Sequence, residues 1–314
     1  MNKLESLREM SVVVADTGDM GSIHEFKPTD STTNPTLILK AAQMPAYKDL
    51  VEEAISWGRK AKASPGDVTD RLAVNFGEAL TKIVPGRVST EVDADLSFDT
   101  QATIAKARAL IAAYAARGVD RKRILIKIAS TWEGAQAAAV LQREGVDCNM
   151  TLIFSLAQAI ACADAKAFLI SPFVGRILDW HVKAGGGPFT QETDPGVVSV
   201  KQIYAYYKSY GVSTVVMGAS FRNLGEIEAL AGCDRLTISP QLLGELAKAE
   251  GALERKLDAK APGTPPELIK LDEKAFRWRL NEDQMATEKL SDGIRLFAKD
   301  LAALRKMAAE RMAG

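Results

Sequence analysis

The sequence predicts an α/β protein folded as a single (β/α)8 barrel with an added C-terminal helix. Three observations lead there. Eight short apolar or β-branched runs recur along the 314 residues, most of them separated by helical patterns. One of these runs, ILIKIAS, is apolar at nearly every position, as strands are in parallel sheets covered on both faces. No GxGxxG follows any run, so the rival doubly wound open sheet lacks its phosphate-binding turn. Barrels of this length are ordinarily one domain, and residues 1–314 are read as one, with the C-terminal helix packed on it.

In chain order the predicted strands are SVVVAD (11–16), DSTTN (30–34), RVSTEVD (87–93), ILIKIAS (124–130), CNMTLIF (148–154), FLISPFV (168–174), TVVMGAS (214–220) and RLTISP (235–240). The second is polar and earns its place from position in the alternation, not from propensity. Helix starts lie between them. Asn34-Pro35 and Ser239-Pro240 place a capping residue before proline at the first helical position. Ser130/Glu133, Ser155/Gln158 and Asn223/Glu226 have capping-box spacing. Thr100 to Ala116 is an alanine-rich helix closed by Arg117-Gly118. Ala184 to Gly196, with GGGPF and DPG, reads as a mobile loop, and Ala259 to Pro266 as a turn-rich connector. The last helix carries Leu290, Ile294, Phe297, Leu301 and Leu304 as one apolar stripe, which is expected to dock on its own barrel and not on a second subunit.

Composition narrows the function classes. Hydrophobic residues make up 47% and charged residues 25%, an ordinary globular balance with ample core material. Forty basic side chains offset forty acidic ones, which argues against nucleic acid or an anionic membrane as the main partner and requires any anion site to be local. The first ten residues are charged and show no secretory h-region, and no stretch approaches a membrane span. Cys148, Cys162 and Cys233 are scattered and form no CxxC, so they read as reduced, buried thiols of a cytoplasmic protein. His24 and His181 form no metal-binding pattern; no metal site is expected, and a Ser-His-Asp hydrolase is disfavoured.

Lys127 is the most informative single residue. Burying an unpaired ammonium costs several kcal/mol, so such a group tends to release its proton. A neutral amine can condense with a ketone or aldehyde to a Schiff base. The competing reading is a lysine that snorkels to a strand end or pairs with a core carboxylate. The other strand ends bear on the choice, because barrel chemistry sits at the C-terminal ends of the strands. Those ends offer Asp16, Asn34, Glu91, Lys127, Asn149 with Thr151, Ser171, and Ser220 with Arg222. Period two puts Asn149 and Thr151 on one strand face. Each residue taken singly has a structural reading: Asp16 a turn cap, Asn34 a helix cap, Thr151 plain β-propensity. Their convergence on one end favours a polar pocket. Schiff-base aldol chemistry needs an amine and two acid/base groups. Asp16 and Glu91 are the candidates, and Asp93 and Asp95 read as solvated. Arg176 and Arg222 follow strand ends and suit a phosphate, with backbone donors at the Asn223 helix start. Arg235 opens a strand at the opposite, stability face.

The motifs ADTGD, STTNPTLIL, RVSTEVD, ILIKIASTWEG, CNMTLIFS, ISPFVGRILDW and VMGASFRN together resemble the transaldolase family, from about residue 3 to the last helix. The resemblance implies a cofactor-independent transfer of a dihydroxyacetone unit between sugar phosphates: sedoheptulose 7-phosphate and glyceraldehyde 3-phosphate give erythrose 4-phosphate and fructose 6-phosphate, in the non-oxidative pentose phosphate pathway. It implies Lys127 as the Schiff-base nucleophile, Asp16 as the base at the breaking carbon–carbon bond, and Glu91 with Thr151 as the pair that handles water. It further implies Thr32, Asn34, Asn149, Ser171 and Phe173 as substrate-site residues, Arg176, Ser220 and Arg222 as phosphate ligands, and a homodimer. The alternatives are a fructose-6-phosphate aldolase, whose smaller members resemble a tyrosine-bearing version at Phe173, and a non-catalytic sugar-phosphate-binding barrel.

Overall fold

A computed structural model describes all 314 residues and closes the eight strands into one parallel barrel in sequential order, β1 pairing with β8. The strands are β1 (Val12–Asp16), β2 (Asp30–Thr32), β3 (Val88–Glu91), β4 (Ile124–Ala129), β5 (Cys148–Ile153), β6 (Leu169–Pro172), β7 (Val215–Gly218) and β8 (Arg235–Ile238). Each lies inside its predicted range. The helices are α1 (Lys3–Arg8), α2 (Met20–Phe26), α3 (Pro35–Ala42), α4 (Lys48–Ala61), α5 (Pro65–Thr81), α6 (Thr100–Ala115), α7 (Trp132–Arg143), α8 (Leu156–Asp164), α9 (Val174–Lys183), α10 (Pro195–Ser209), α11 (Leu224–Ala229), α12 (Pro240–Lys248), α13 (Glu273–Glu282) and α14 (Gln284–Ala313).

Strand alternation sorts the core into two shells. Ile124, Ile126 and Ile128 of β4 face the helices and belong to the large outer core, as do Val13, Cys148, Met150, Ile170 and Leu236. Truncating such a buried isoleucine to alanine typically costs about 2–5 kcal/mol. The inward shell starts with an apolar plug, Val14, Leu125, Leu169 and Met217. Two residues further along the same strands stand Asp16, Lys127, Ser171 and Ala219, one layer higher toward the strand C-termini. At the other mouth Arg235 pairs with Asp30 and lies 5.9 Å over the Phe168 ring, the structural role expected of it.

Asn34 and Ser239 cap α3 and α12 ahead of proline, and Ser155 with Gln158 closes a capping box on α8. The expected Ser130/Glu133 box does not form. Thr131 caps α7 through Gly134 N–H, and Ser130 instead donates to Thr151 O at 2.8 Å, tying β4 to β5. Residues 184–193 contain no helix or strand, and α10 starts at Pro195. The apolar stripe of α14 is buried against α3, α5, α9 and β5, so it docks on its own barrel as expected. No helix is long and apolar enough to cross a membrane.

Candidate active site

Parallel pairing fixes which side chains can meet. Glu91 of β3 stands in register with Lys127 of β4, which stands in register with Asn149 of β5; Ala129 pairs with Thr151 one step higher. The Lys127 side chain is 5% exposed and Glu91 4%. Nζ lies 3.3 Å from Glu91 Oε2 and donates to Thr33 O at 3.2 Å. The lysine therefore has a core carboxylate partner, one of its two sequence readings, while still facing the cavity. Burial pushes the Glu91 carboxyl up, against the pull of the Lys127 and Arg176 cations. Glu91 Oε2 and Thr151 Oγ1 are both buried without a protein hydrogen-bond partner.

A cavity of about 190 Å³ opens at the C-terminal mouth and is lined by Asp16, Thr32, Asn34, Lys127, Thr151, Ser171, Phe173, Arg176, Ser220 and Arg222. Ten of the twelve expected site residues are thus brought together. The other two lie just beneath. Asn149 is fully buried, accepting from Ser171 at 2.6 Å and donating to Ser89 at 3.0 Å. Glu91 sits behind Lys127 against a small cavity of about 30 Å³ shared with Thr33, Thr90, Asp70 and Asp93. Asp16 is oriented by a hydroxyl chain: Thr32 donates to Asp16 Oδ1 at 2.8 Å and so accepts from Thr237 at 2.7 Å. Asn34 keeps both of its readings, since its Oδ1 caps Leu37 N–H while its side chain reaches the cavity wall.

The two arginines are held differently. Arg222 gives Nε and Nη2 to Asp179, with Nη2 to Oδ2 at 2.7 Å, and points Nη1 toward Ser220 Oγ at 3.4 Å. Ser220 itself has φ of 62°, a left-handed conformation that an L-residue adopts only under tertiary constraint. The constraint is visible below it. Gly175 packs so closely that a Cβ would stand 2.5 Å from Ser220 O and 2.5 Å from Arg222 Cγ. Arg176 forms no ion pair or hydrogen bond; its guanidinium lies 5.0 Å over Phe173 and 5.6 Å from the centroid of Phe297.

Two expectations are modified. The start of α11 has some donors already engaged, since Arg222 N–H bonds Glu226 Oε2 at 2.6 Å and Glu226 N–H bonds Asn223 Oδ1 at 3.0 Å, and none of its residues lines the cavity. Asp93 is not solvated but sits in ion pairs with Lys106 at 3.1 Å and Arg305 at 2.7 Å; Asp95 is exposed as expected but also pairs with Arg305, at 2.8 Å. Thr237, Ser239 and Phe297 line the cavity and were not anticipated as site residues. The alternation of RLTISP carries a signal for the first two, because Thr237 and Ser239 continue one face of β8 to its end. Phe297 carried none, being one member of an ordinary helical stripe.

The arrangement offers a buried amine with a carboxyl partner, a second acid across the cavity, hydroxyl and amide groups, and two guanidinium groups at one side. That set suits imine chemistry on a polyhydroxy ketone bearing an anionic group. The chain is also similar to known proteins over nearly its whole length. The family model described as "Transaldolase/Fructose-6-phosphate aldolase" matches residues 13–308. A protein of Agrobacterium fabrum named "Transaldolase" is 66% identical over 313 residues, covering 98% of this chain and 96% of the relative. One of Allorhizobium ampelinum with the same name is 65% identical over 99% of both chains, and one of Marinomonas sp. is 59% identical over 95% of this chain and 96% of its own.

Proposed function

This chain belongs to the transaldolase/fructose-6-phosphate aldolase family, and we propose that its transaldolase activity runs through a Schiff base on Lys127. The donor and acceptor are sugar phosphates: sedoheptulose 7-phosphate gives up a dihydroxyacetone unit to glyceraldehyde 3-phosphate, leaving erythrose 4-phosphate and fructose 6-phosphate. The lysine amine adds to the ketone carbon of the donor. The carbinolamine then loses water, with Glu91 exchanging the proton and Thr151 orienting the water. Asp16 takes the proton from the hydroxyl on the carbon that becomes the aldehyde, the carbon–carbon bond breaks, and the electron pair is held in the enamine. Addition of the enamine to the acceptor aldehyde reverses these steps, and water returns the free lysine.

Asn34 and Ser171 hold the dihydroxyacetone hydroxyls, with Asn149 acting from below through Ser171. Thr32 keeps Asp16 in place. Arg176, Ser220 and Arg222 take the phosphate, and Phe173 forms an apolar wall. Phe173 has no hydroxyl to activate a hydrolytic water, which favours transfer over release of free dihydroxyacetone. In the same reading the chain is one catalytic domain, needs no metal or cofactor, works in the cytoplasm and pairs into a homodimer.

The observation that carries the proposal is the register of Glu91, Lys127 and Asn149 across three adjacent strands at the floor of a polar cavity. Mixing fructose 6-phosphate with erythrose 4-phosphate tests it. Sedoheptulose 7-phosphate should form without free dihydroxyacetone. Free dihydroxyacetone as the main product would make the chain an aldolase, and no product from either sugar would make it a binding protein.

A further inference from the structure

We propose that Phe297, supplied by the C-terminal helix α14, is a positioning residue that holds Arg176 in its phosphate-binding pose. The inference rests on the reading of Arg176 as a phosphate ligand and deepens it.

A long, partly buried guanidinium needs something to hold it. Arg222 has Asp179 for that purpose. Arg176 makes no ion pair and no hydrogen bond; what flanks it is aromatic, Phe173 at 5.0 Å and Phe297 at 5.6 Å. Ring faces attract a cation electrostatically without occupying its N–H groups, so all of the donors stay free for a dianion. A carboxylate in that position would compete with the phosphate. Phe297 is 1% exposed, so its ring is fixed by packing and can in turn fix what lies on it.

The backbone of α14 is brought close for this contact. One turn before Phe297, Gly293 packs so tightly that a Cβ would stand 2.7 Å from the Leu152 side chain and 3.4 Å from Arg176 Nη1. Leu152 has φ of 57°, follows Thr151, and sits at the irregularity in the β5–β6 pairing. The helix thus leans on the strand that carries Thr151 and on Arg176 together. Lys127 Nζ also lies 5.9 Å from the Phe297 ring, at the outer limit for such an attraction. Lys127 is already held by Glu91 and Thr33 O, so the ring is dispensable there.

The test replaces Phe297 in the full-length enzyme by leucine, which keeps an apolar side chain, and separately by pentafluorophenylalanine, which keeps the shape and reverses the ring's quadrupole. Both should raise KM for fructose 6-phosphate by roughly 5- to 30-fold, with a smaller fall in kcat. Both effects should largely vanish in an Arg176→Ala background, because two changes to one interaction are not additive. Borohydride trapping with dihydroxyacetone, which has no phosphate, should stay within about twofold of wild type. An unchanged KM with the fluorinated ring, or a rise that persists undiminished in Arg176→Ala, would overturn the proposal. So would equal slowing of dihydroxyacetone trapping, which would make Phe297 a packing residue. The fluorinated variant decides the matter if the leucine variant fails to fold. Failure of the Schiff-base reading would show differently, as absence of trapping in the wild-type enzyme.

Discussion

Glu91→Gln and Asp16→Asn should separate two chemical steps that a simple loss of activity would merge. Glu91 Oε2 lies 3.3 Å from Nζ, whereas no ion pair links Asp16 to Lys127. In the proposed mechanism Glu91, the nearer acid, is therefore the group that exchanges a proton with water at the carbon bound to Nζ. At 3.3 Å and an effective dielectric constant of about 20, the Glu91–Lys127 attraction is about 5 kcal/mol, much of it offset by the desolvation of both groups. Glutamine keeps the size of the side chain and an acceptor for Nζ, so the barrel should stay folded. The chemical loss is of another kind. Removing one general acid/base slows its step by about 10²–10⁴-fold, equivalent to about 2.7–5.5 kcal/mol of barrier. In Glu91→Gln that loss falls on imine formation, read as the rate of borohydride-dependent inactivation with fructose 6-phosphate. In Asp16→Asn it falls on bond cleavage: transfer should drop by a similar factor while trapping continues. Equal trapping rates in the two variants would refute this division of roles.

Other consequences are more local. Arg222→Ala should raise KM for fructose 6-phosphate by roughly 10- to 150-fold, the worth of a charged hydrogen bond. Asp179→Asn should change it only a few-fold, because the Arg222–Asp179 pair is 40% and 49% exposed, the charge of such pairs contributes little, and the amide oxygen still accepts from the guanidinium; a much larger effect would show that the charge of Asp179, and not its hydrogen bonds alone, holds the fork. Burial pushes Glu226 up to about 7 from 4.5, and burial raises Asp194 as well. A carboxyl raised on folding gives stability that is full below its unfolded value and is lost as pH rises through the folded one. The thermal midpoint should therefore fall between about pH 5 and pH 8, and Glu226→Gln should flatten that fall. A fall of unchanged size in Glu226→Gln would assign the effect elsewhere.

Much of this molecule was legible because period-two strands in a barrel commit alternate residues to one face. Once ILIKIAS is a strand, Leu125 and Lys127 must point inward together, and the same rule brings Asn149, Thr151, Ser171 and Asp16 to one mouth. The polar β2 was found from its place in the alternation, since Asp30 and Ser31 carry little strand propensity and only Thr32 favours a strand. What escaped was set by tertiary choice between equivalent local options. Ser130 and Thr131 are adjacent hydroxyls, and either could cap α7; the cross-strand bond from Ser130 to Thr151 O decided it. Asp93 looked like a loop acid because its partners Lys106 and Arg305 lie far away in sequence. The Asn223 cap did form, but Glu226 turned back to the Arg222 N–H and engaged a donor next to the helix start. Phe297 was hidden by its own regularity: the stripe that docks α14 also delivers the ring to the cavity.

The central claim is that Lys127 is the amine that carries the transferred carbons. Its most direct measurement is mass spectrometry of peptides after incubation with fructose 6-phosphate and borohydride. The peptide containing Lys127 should gain one reduced dihydroxyacetone unit, in step with loss of activity, and Lys127→Arg should neither label nor transfer while remaining folded. A label on another lysine, or inactivation with no label at all, would contradict the account.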